Sequence, residues 1–339
     1  MGKKVSRIQL NILPANSGDC LHLRFQSSYG WNNVIIDSGT SATADKLRAL
    51  LKQIKDNGEK VDLLCFSHID NDHIEGAEQV FVPPLFEPGL IRQIWMNVPS
   101  DAIPKSGAVG VFSPKNAGTA IKLLKAIVNY GIPFKYTVIE GDELVIGNAR
   151  IQVVLPSSKR LTAFYESWKK DPSLYKDKSS RKDNSPTNGS SIALLCTIGE
   201  RKLLLVGDAF AEDLVKVGEK YAGDGGFSIV KLPHHGSNAN MTDEMLRSLK
   251  TKEFIISTVE TPHRPGNQAM SILDAYGVDV GGVTLYGNYG WPRFNAELPG
   301  VKIIHPKKVA MTKDGIEVYS DGYSTQIFAE SACDPDSSI

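Results

Sequence analysis

Residues 67–73 read Ser-His-Ile-Asp-Asn-Asp-His, so two imidazoles (His68, His73) and two carboxylates (Asp70, Asp72) fall within six positions. In a plain core such groups would repel and desolvate one another. Two cations bound by their nitrogens and oxygens would offset that cost. The motif ends an apolar run, Val61 to Phe66, whose β-branched and aliphatic residues suit a strand buried on both faces. A strand that delivers ligands from its carboxyl end into a loop is a usual place for an α/β active site. The segment reads as part of a metalloenzyme site.

Three further apolar runs end in groups of the same kind. Asn33 to Ile36 leads into Asp37-Ser38-Gly39, Leu203 to Val206 into Gly207-Asp208, and Ile229 to Pro233 into His234-His235-Gly236-Ser237. Taken singly, each has an ordinary reading: Asp208 could cap the helix that follows, and Asp37 could serve a turn. Their joint occurrence beside the 68–73 cluster weakens those readings. His22 and His305 stand alone in alternating β segments and read as structural.

The scaffold that must position these groups alternates strands and helices. Ile8 to Leu13, Cys20 to Phe25 and Val34 to Ile36 are short β runs, separated at Gly18, Gly30 and Asn32-Asn33. Ser41 or Thr43 can cap a helix carrying Leu47, Leu50, Leu51 and Ile54 at helical spacing, ending near Gly58. After the motif come a helical stretch Ala77 to Phe81, stopped by Pro83-Pro84, and a strand Ile91 to Asn97. Residues 98–113 read as a surface loop, Ala117 to Tyr130 as an amphipathic helix, and Tyr136 to Leu155 as a meander turning at Gly141 and Gly147. Residues 156–189 are Lys-, Ser- and Asp-rich. Beyond a short helix at Leu161 to Lys170 they read as a mobile insertion, serving either as a lid or as a plain spacer.

The second half repeats the alternation. Strands fall at Ile192 to Ile198, Lys202 to Val206, Ser228 to Leu232 and Phe254 to Thr258, with helices at Glu212 to Tyr221 and Asp243 to Leu249. More β runs follow from Val283 to Phe328. The pattern predicts one α/β (α+β) domain over residues 1–330, a sandwich of two mixed sheets with helices outside, and a disordered tail over 331–339.

The chain has 339 residues, 41% of them hydrophobic and 22% charged, as in a soluble globular protein. Its 38 basic and 38 acidic residues cancel, so any nucleic-acid contact must come from a local patch. Cys20, Cys65, Cys196 and Cys333 form no C-x-x-C pair, and three of them sit in apolar runs as buried thiols. The basic Met1 to Arg7 lacks an apolar stretch behind it, and no run approaches the ~18 apolar residues of a membrane span. A cytoplasmic, reducing location and no membrane partner are expected.

Asp37-Ser-Gly39, His68-x-Asp-x-Asp-His73, Gly207-Asp208 and His234-His235-Gly-Ser237, in this order, resemble the metallo-β-lactamase-fold superfamily over roughly residues 8–286. The resemblance implies a four-layer αββα sandwich. The superfamily's usual first motif is His-x-His-x-Asp-His, and Asp70 stands here in place of the second histidine. That change, with Gly18-Asp19-Cys20, Asn188-Gly-Ser-Ser191 and the double histidine, is similar to the ComEC-type branch, which includes the nuclease-like domain of the bacterial competence DNA-uptake channel. An aspartate for a histidine also makes one site harder, moving its preference from zinc toward manganese or magnesium.

Carried over residue by residue, the resemblance implies two divalent ions, zinc or manganese with magnesium as a third option. Asp72, His73 and one of His234 or His235 would hold one; His68 and Asp70 would hold the other, with Asp208 bridging. The superfamily supplies one more histidine before the bridging aspartate. None lies between His73 and His234, which leaves that site one ligand short, with Asn188 in roughly the missing position. A bridging hydroxide would attack the substrate. Asp70 or Asp72 would orient it, Asn188, Ser190 and Ser237 would bind phosphate, and His263 would protonate a leaving alkoxide with Arg264 on the phosphate.

The nearest implied activity is phosphodiester hydrolysis, with DNA as the first expected substrate and the basic stretch Lys169 to Lys182 as its track. The alternatives are a hydrolase of a small molecule (a cyclic nucleotide, other phosphodiester, thioester or lactone) and a metal-binding-deficient interaction domain.

Overall fold

The computed structural model describes residues 5–81, 87–104, 118–169, 182–294, 298–304, 316–320 and 325–332. Among them two eight-stranded mixed sheets lie face to face. The first holds β1 (Val5–Ile12), β2 (Leu21–Ser27), β3 (Gly30–Ile36), β4 (Leu63–Phe66), β5 (Ile94–Met96) and β6 (Phe134–Lys135), with β15 (Ile316–Ser320) and β16 (Thr325–Ala332) beside β1. The second holds β7 (Glu143–Ile146), β8 (Ala149–Leu155), β9 (Ala193–Ile198), β10 (Arg201–Leu205), β11 (Ile229–Lys231), β12 (Glu253–Ile256), β13 (Val283–Gly287) and β14 (Val301–Ile304), in sequence order across the sheet. In both sheets pairing changes from antiparallel to parallel partway across, at β3 in the first and at β10 in the second.

Three apolar layers hold this sandwich together. Leu10, Leu23, Ile36 and Cys65 from one sheet meet Ile151, Leu194, Leu205 and Ile255 from the other. On the outer face of the first sheet lie α1 (Ala44–Asp56), α2 (Asn71–Val80), α3 (Gly118–Asn129) and α4 (Ser158–Lys169); α6 (Ala211–Tyr221), α7 (Asp243–Leu249) and α8 (Asn267–Val280) cover the second. The helix expected over 47–54 is α1, which buries Leu47, Leu50, Leu51 and Ile54 against Leu64 and Ile94. Full burial of each such side chain contributes about 1.5–3 kcal/mol. The result is the four-layer αββα arrangement read from the sequence.

Some elements differ from the sequence reading. The helix after the motif starts at Asn71 rather than Ala77, so Asp72 and His73 occupy its first turn and not a loop. Asp70 keeps extended dihedrals as the residue before the helix, and Asp72 lies where the helix dipole favours an anion. Helix α8 was not expected, although Ala269, Met270, Leu273 and Tyr276 recur on its buried side. Within the 156–189 segment, α4 packs Leu161, Phe164 and Trp168 into the core, and α5 (Pro186–Gly189) returns the chain to β9. Residues 170–181, and with them most of the basic stretch, lie outside the described residues, as do Pro83-Pro84, residues 105–113, His305, Cys333 and 333–339. Strand β16 continues to Ala332, which pairs with Val5. Cys20, Cys65 and Cys196 are free and buried, and burial pushes each thiol well up. No helix among the described residues is long and apolar enough to cross a membrane.

His22 is buried between two amides. Asn11 Nδ2 donates to Nδ1 at 2.9 Å, and Nε2 donates to Asn33 Oδ1 at 2.9 Å. Asn33 is itself oriented, since its Nδ2 donates to Glu59 and to the Lys60 carbonyl. A proton on Nδ1 would face a donor in a buried site, and burial pushes this imidazole down from 6.5 to about 4. The unfolded chain therefore binds a proton that the folded chain refuses. Stability is full above pH 6.5 and falls by about 3 kcal/mol as pH drops to about 4. Urea unfolding of the wild type and His22→Gln at pH 7 and 4.5 checks this: the variant is expected to lose much less stability on acidification. Equal losses would remove His22 as the acid-sensitive group.

Candidate metal centre

The parallel strands deliver the chemistry. At their carboxyl ends Asp37 (after β3), Ser67 and His68 (after β4), Asp208 (after β10), His234 and His235 (after β11) and Ser257 (after β12) come together. Gly207 allows the two sheets to approach here: a Cβ on it would stand 2.7 Å from the Ser67 side chain, and its φ of +54° is left-handed. His234 and His235 are also left-handed, at φ 48° and 54°. Such non-glycine residues cost about 1–3 kcal/mol each and persist where surrounding structure enforces them. In an extended strand neighbouring side chains point to opposite faces. The turned backbone instead lets both imidazoles reach Asp208.

Asp208 is the centre, 2% exposed. Its Oδ1 lies 3.5 Å from His73 Nε2 and 3.5 Å from His235 Nε2. Its Oδ2 lies 3.5 Å from His234 Nε2 and 3.8 Å from His68 Nε2. Asp72 completes the first group, 3.6 Å from His235 Nε2 and 3.9 Å from His73 Nε2, while those two nitrogens are 3.3 Å apart. Asp70 joins the second group, 3.9 Å from His68 Nε2. Four donors around one ion at ~2.1 Å in tetrahedral array stand about 3.4 Å from one another. The separations around Asp208 Oδ1, 3.3–3.9 Å, come close to that spacing.

The imidazoles are prepared for the same task. His73 Nδ1 donates to Asp37 Oδ2 at 2.8 Å, and His235 Nδ1 donates to the Ser257 carbonyl at 2.8 Å. Each bond leaves the Nε2 lone pair facing Asp208, the usual back-support of a metal-binding histidine. His68 Nε2 and Asp208 Oδ1 are buried with no hydrogen-bond partner, an expensive arrangement that bound cations would relieve. Burial, helped by His73 and opposed by Asp208, pushes His68 down to about 4, so its lone pair is free at neutral pH. Burial would lower His73 and His234 as well. Asp208 with Asp37 and Asp72 in the first case, and Asp208 with Asp183 in the second, outweigh it and raise both. Burial would raise Asp208 and Asp72, but the imidazoles hold both down, Asp208 far below the usual range.

Asp19, His73, Asp208 and His235 each offer one donor atom within 4.8 Å of the others. Asp19 nevertheless faces the Nδ1 sides of the rings, 3.8 Å from His73 and 3.4 Å from His235. It is an ion-pair partner of Lys231 and stands behind the two rings, away from the Nε2 atoms that face Asp208. Lys231 is fully buried; its ammonium also donates to the Gly207 carbonyl at 2.8 Å and lies 3.8 Å from Asp208 Oδ1. The sequence carried a signal for it, a lysine inside an apolar strand, since lysine is almost never buried unless paired.

The structure thus brings together His68, Asp70, Asp72, His73, Asp208, His234 and His235. His73 and His235, with Asp72 beside them, face Asp208 Oδ1; His68, with Asp70 beside it, and His234 face Oδ2. His234 thus faces the same oxygen of Asp208 as His68 does. Asn188 lies behind that ring, 3.5 Å from Nδ1, with its Nδ2 donating to Asp183 at 2.7 Å. Ser190 donates to the Thr187 carbonyl and Ser237 Oγ accepts from Ala239 N, both local turn bonds. It is Ser191 that meets the site, 3.4 Å from His68 Nδ1 and accepting from Asp208 N at 3.2 Å. Arg264 reaches Asp72 Oδ2 at 3.5 Å and also touches His234 Nε2. His263 is exposed, and no bond or ion pair joins its ring to the centre among the described residues. Asp183 and Asn240 went unread, the first within a Lys- and Ser-rich stretch with no local signature.

The family model of the metallo-beta-lactamase superfamily matches residues 31–82, which carry Asp37 and the whole 68–73 motif. That segment is similar to the superfamily, and the two mixed sheets with outer helices are consistent with its fold. No curated protein matches the chain. Similar solved structures include CmlA, a diiron beta-hydroxylase from Streptomyces venezuelae (14% identity, 82% of this chain and 52% of that one, TM-score 0.43). Others are a diphosphatase of the PhnP family (12%, 89% and 95%, 0.40) and the metallo-beta-lactamase fold protein YhfI from Bacillus subtilis (11%, 84% and 88%, 0.41). The chain spans about half the length of CmlA.

Proposed function

We propose that this chain of metallo-β-lactamase architecture is a dinuclear metal-dependent phosphodiesterase, similar to the ComEC-type branch, with DNA as its substrate. The observation that carries the reading is Asp208, each of whose oxygens lies between two imidazole Nε2 atoms. Charge supports it. Asp19, Asp37, Asp72, Asp183 and Asp208 converge here with Lys231 and Arg264 as permanent cations among the described residues, an excess of negative charge that divalent ions would offset. Nitrogen and oxygen donors with no thiolate suit zinc, manganese or magnesium.

Asp72, His73, His235 and Asp208 would hold one ion, and His68, Asp70, His234 and Asp208 the other. Bound there, such a pair supplies Lewis acidity toward a phosphoryl oxygen and makes a shared water more acidic. The protein does the rest. Asp70, 42% exposed, and Asp72, 25% exposed, stand at the mouth and can accept the proton of an attacking water. Arg264, 25% exposed beside Asp72, offers a planar donor pair to a phosphate. Arg293 donates to the Thr261, Pro262 and Pro265 carbonyls and so fixes the loop carrying His263 and Arg264. An exposed His263 on that loop can hand a proton to a departing alkoxide. A solvent-facing mouth of this kind supports a polymeric substrate.

The test is hydrolysis by the purified chain, supplied with manganese, magnesium or zinc, of linear and circular DNA, bis(4-nitrophenyl) phosphate and a neutral thioester or lactone. Cleavage of DNA and the phosphodiester is expected. Turnover of the neutral ester alone would replace this reading with a small-molecule hydrolase, and no turnover with any metal would end the enzymatic reading. Arg264→Ala is expected to raise KM for the phosphodiester by about 10- to 100-fold, the worth of one charged hydrogen-bonded contact, with little change for the neutral ester. Steady-state kinetics on both substrates check it.

A further inference from the structure

His73 and His234 are imidazoles of the centre whose Nδ1 lies 2.8 and 3.0 Å from a carboxylate oxygen. Behind His73 stands Asp37, which the sequence marks by its place after a strand. Behind His234 stands Asp183, from a segment with no such mark. His234 Nδ1 lies 3.0 Å from Asp183 Oδ2 and 2.8 Å from Asn240 Oδ1. Both are acceptors, so Nδ1 carries the proton and Nε2 the lone pair. Arg264 agrees independently: a guanidinium only donates, and it faces Nε2.

Asp183 is itself held rigidly. Its Oδ2 accepts from Asn188 Nδ2 at 2.7 Å and Asn240 Nδ2 at 3.0 Å, and its Oδ1 accepts from Ser185 N at 3.0 Å. Asn240, fully buried, also donates toward the Ala209 carbonyl at 3.2 Å, next to the bridging carboxylate. The side chain of Asp183 is 9% exposed. A carboxylate this enclosed, with its donors supplied by two buried amides, has one ring to serve.

Resting on the dinuclear reading, we propose that Asp183 is the positioning residue that makes His234 a metal ligand, compensating for the histidine this chain lacks between His73 and Asp208. Asn188 and Asn240 orient Asp183. The segment entering α5 is thereby part of the centre.

The experiment is stepwise metal binding by the full chain, followed by calorimetry with manganese alone and by metal mass spectrometry, for the wild type, Asp183→Asn, Asp183→Ala, His234→Ala and the Asp183→Ala/His234→Ala double variant. Loss of such a back-support weakens metal affinity by about 10–100-fold. That loss is expected in one of the two binding steps, with the other unchanged, which also shows the variants to be folded. Asp183→Ala should add almost nothing in the His234→Ala background. Wild type and both Asp183 variants binding two ions with equal affinities would overturn this inference and leave the dinuclear reading standing. Equal weakening of both steps, or full additivity with His234→Ala, would overturn it as well. A wild type that binds no ion would overturn the dinuclear reading and this inference with it.

Discussion

Asp208→Asn is expected to abolish phosphodiester hydrolysis while leaving the fold in place. The side chain keeps its shape, so the packing around it is preserved. What disappears is a negative charge whose two oxygens each stand between two imidazoles. An amide presents one acceptor and one donor, and that donor would point at lone pairs intended for a cation. Removing a single oxyanion donor from an active site costs about 10²–10³ in kcat. Loss of a residue shared by both ion positions should exceed that, so a fall of more than ~10³-fold is expected. Turnover of bis(4-nitrophenyl) phosphate, read beside the near-ultraviolet circular dichroism of the variant, checks the result. Turnover within about tenfold of the wild type would remove Asp208 as the bridge.

Lys231→Met should instead destabilise the fold. The lysine is fully buried, and its ammonium pairs with Asp19, itself 1% exposed, with the His73 and His235 rings next nearest. Burial would raise the Asp19 carboxyl, but Lys231, His235 and His73 hold it far below the ordinary range. Methionine fills much of the same volume yet leaves that carboxylate buried without its ammonium partner. Breaking a buried pair in this way costs about 3–5 kcal/mol. Adding Asp19→Asn removes the stranded charge, so the double variant should recover a large part of the loss. Urea unfolding of the four proteins in the presence of chelator measures it. A single-variant loss below about 1 kcal/mol would show that the pair does not hold the sheet ends together.

The sequence disclosed this site unevenly, for a physical reason. Ligands attached directly to the ends of apolar strands stand out: His68, Asp208 and His234-His235 each follow a run that reads as β without further help. Asp72 and His73 are read as candidate ligands on a loop, because Ile74 and Ala77 supply too short an apolar pattern to reveal a helix beginning at Asn71. The sandwich itself was legible, since alternation of strand and helix survives in both halves. The tertiary arrangement was not. Nothing local says that consecutive histidines adopt left-handed backbone and both turn toward one aspartate, so the chain read as one ligand short. Asp183 is the extreme case. It lies in a charged stretch whose composition matches a solvated loop, and its role exists only through Asn188, Asn240 and His234.

The most direct test is the metal content of the chain itself. The protein is purified without added metal, loaded with manganese or zinc, freed of excess by dialysis and measured by inductively coupled plasma mass spectrometry. About two divalent ions per chain are expected, matching the two donor groups that share Asp208. Asp208→Asn should lower that content. A chain that retains no divalent ion under any loading condition would contradict the account.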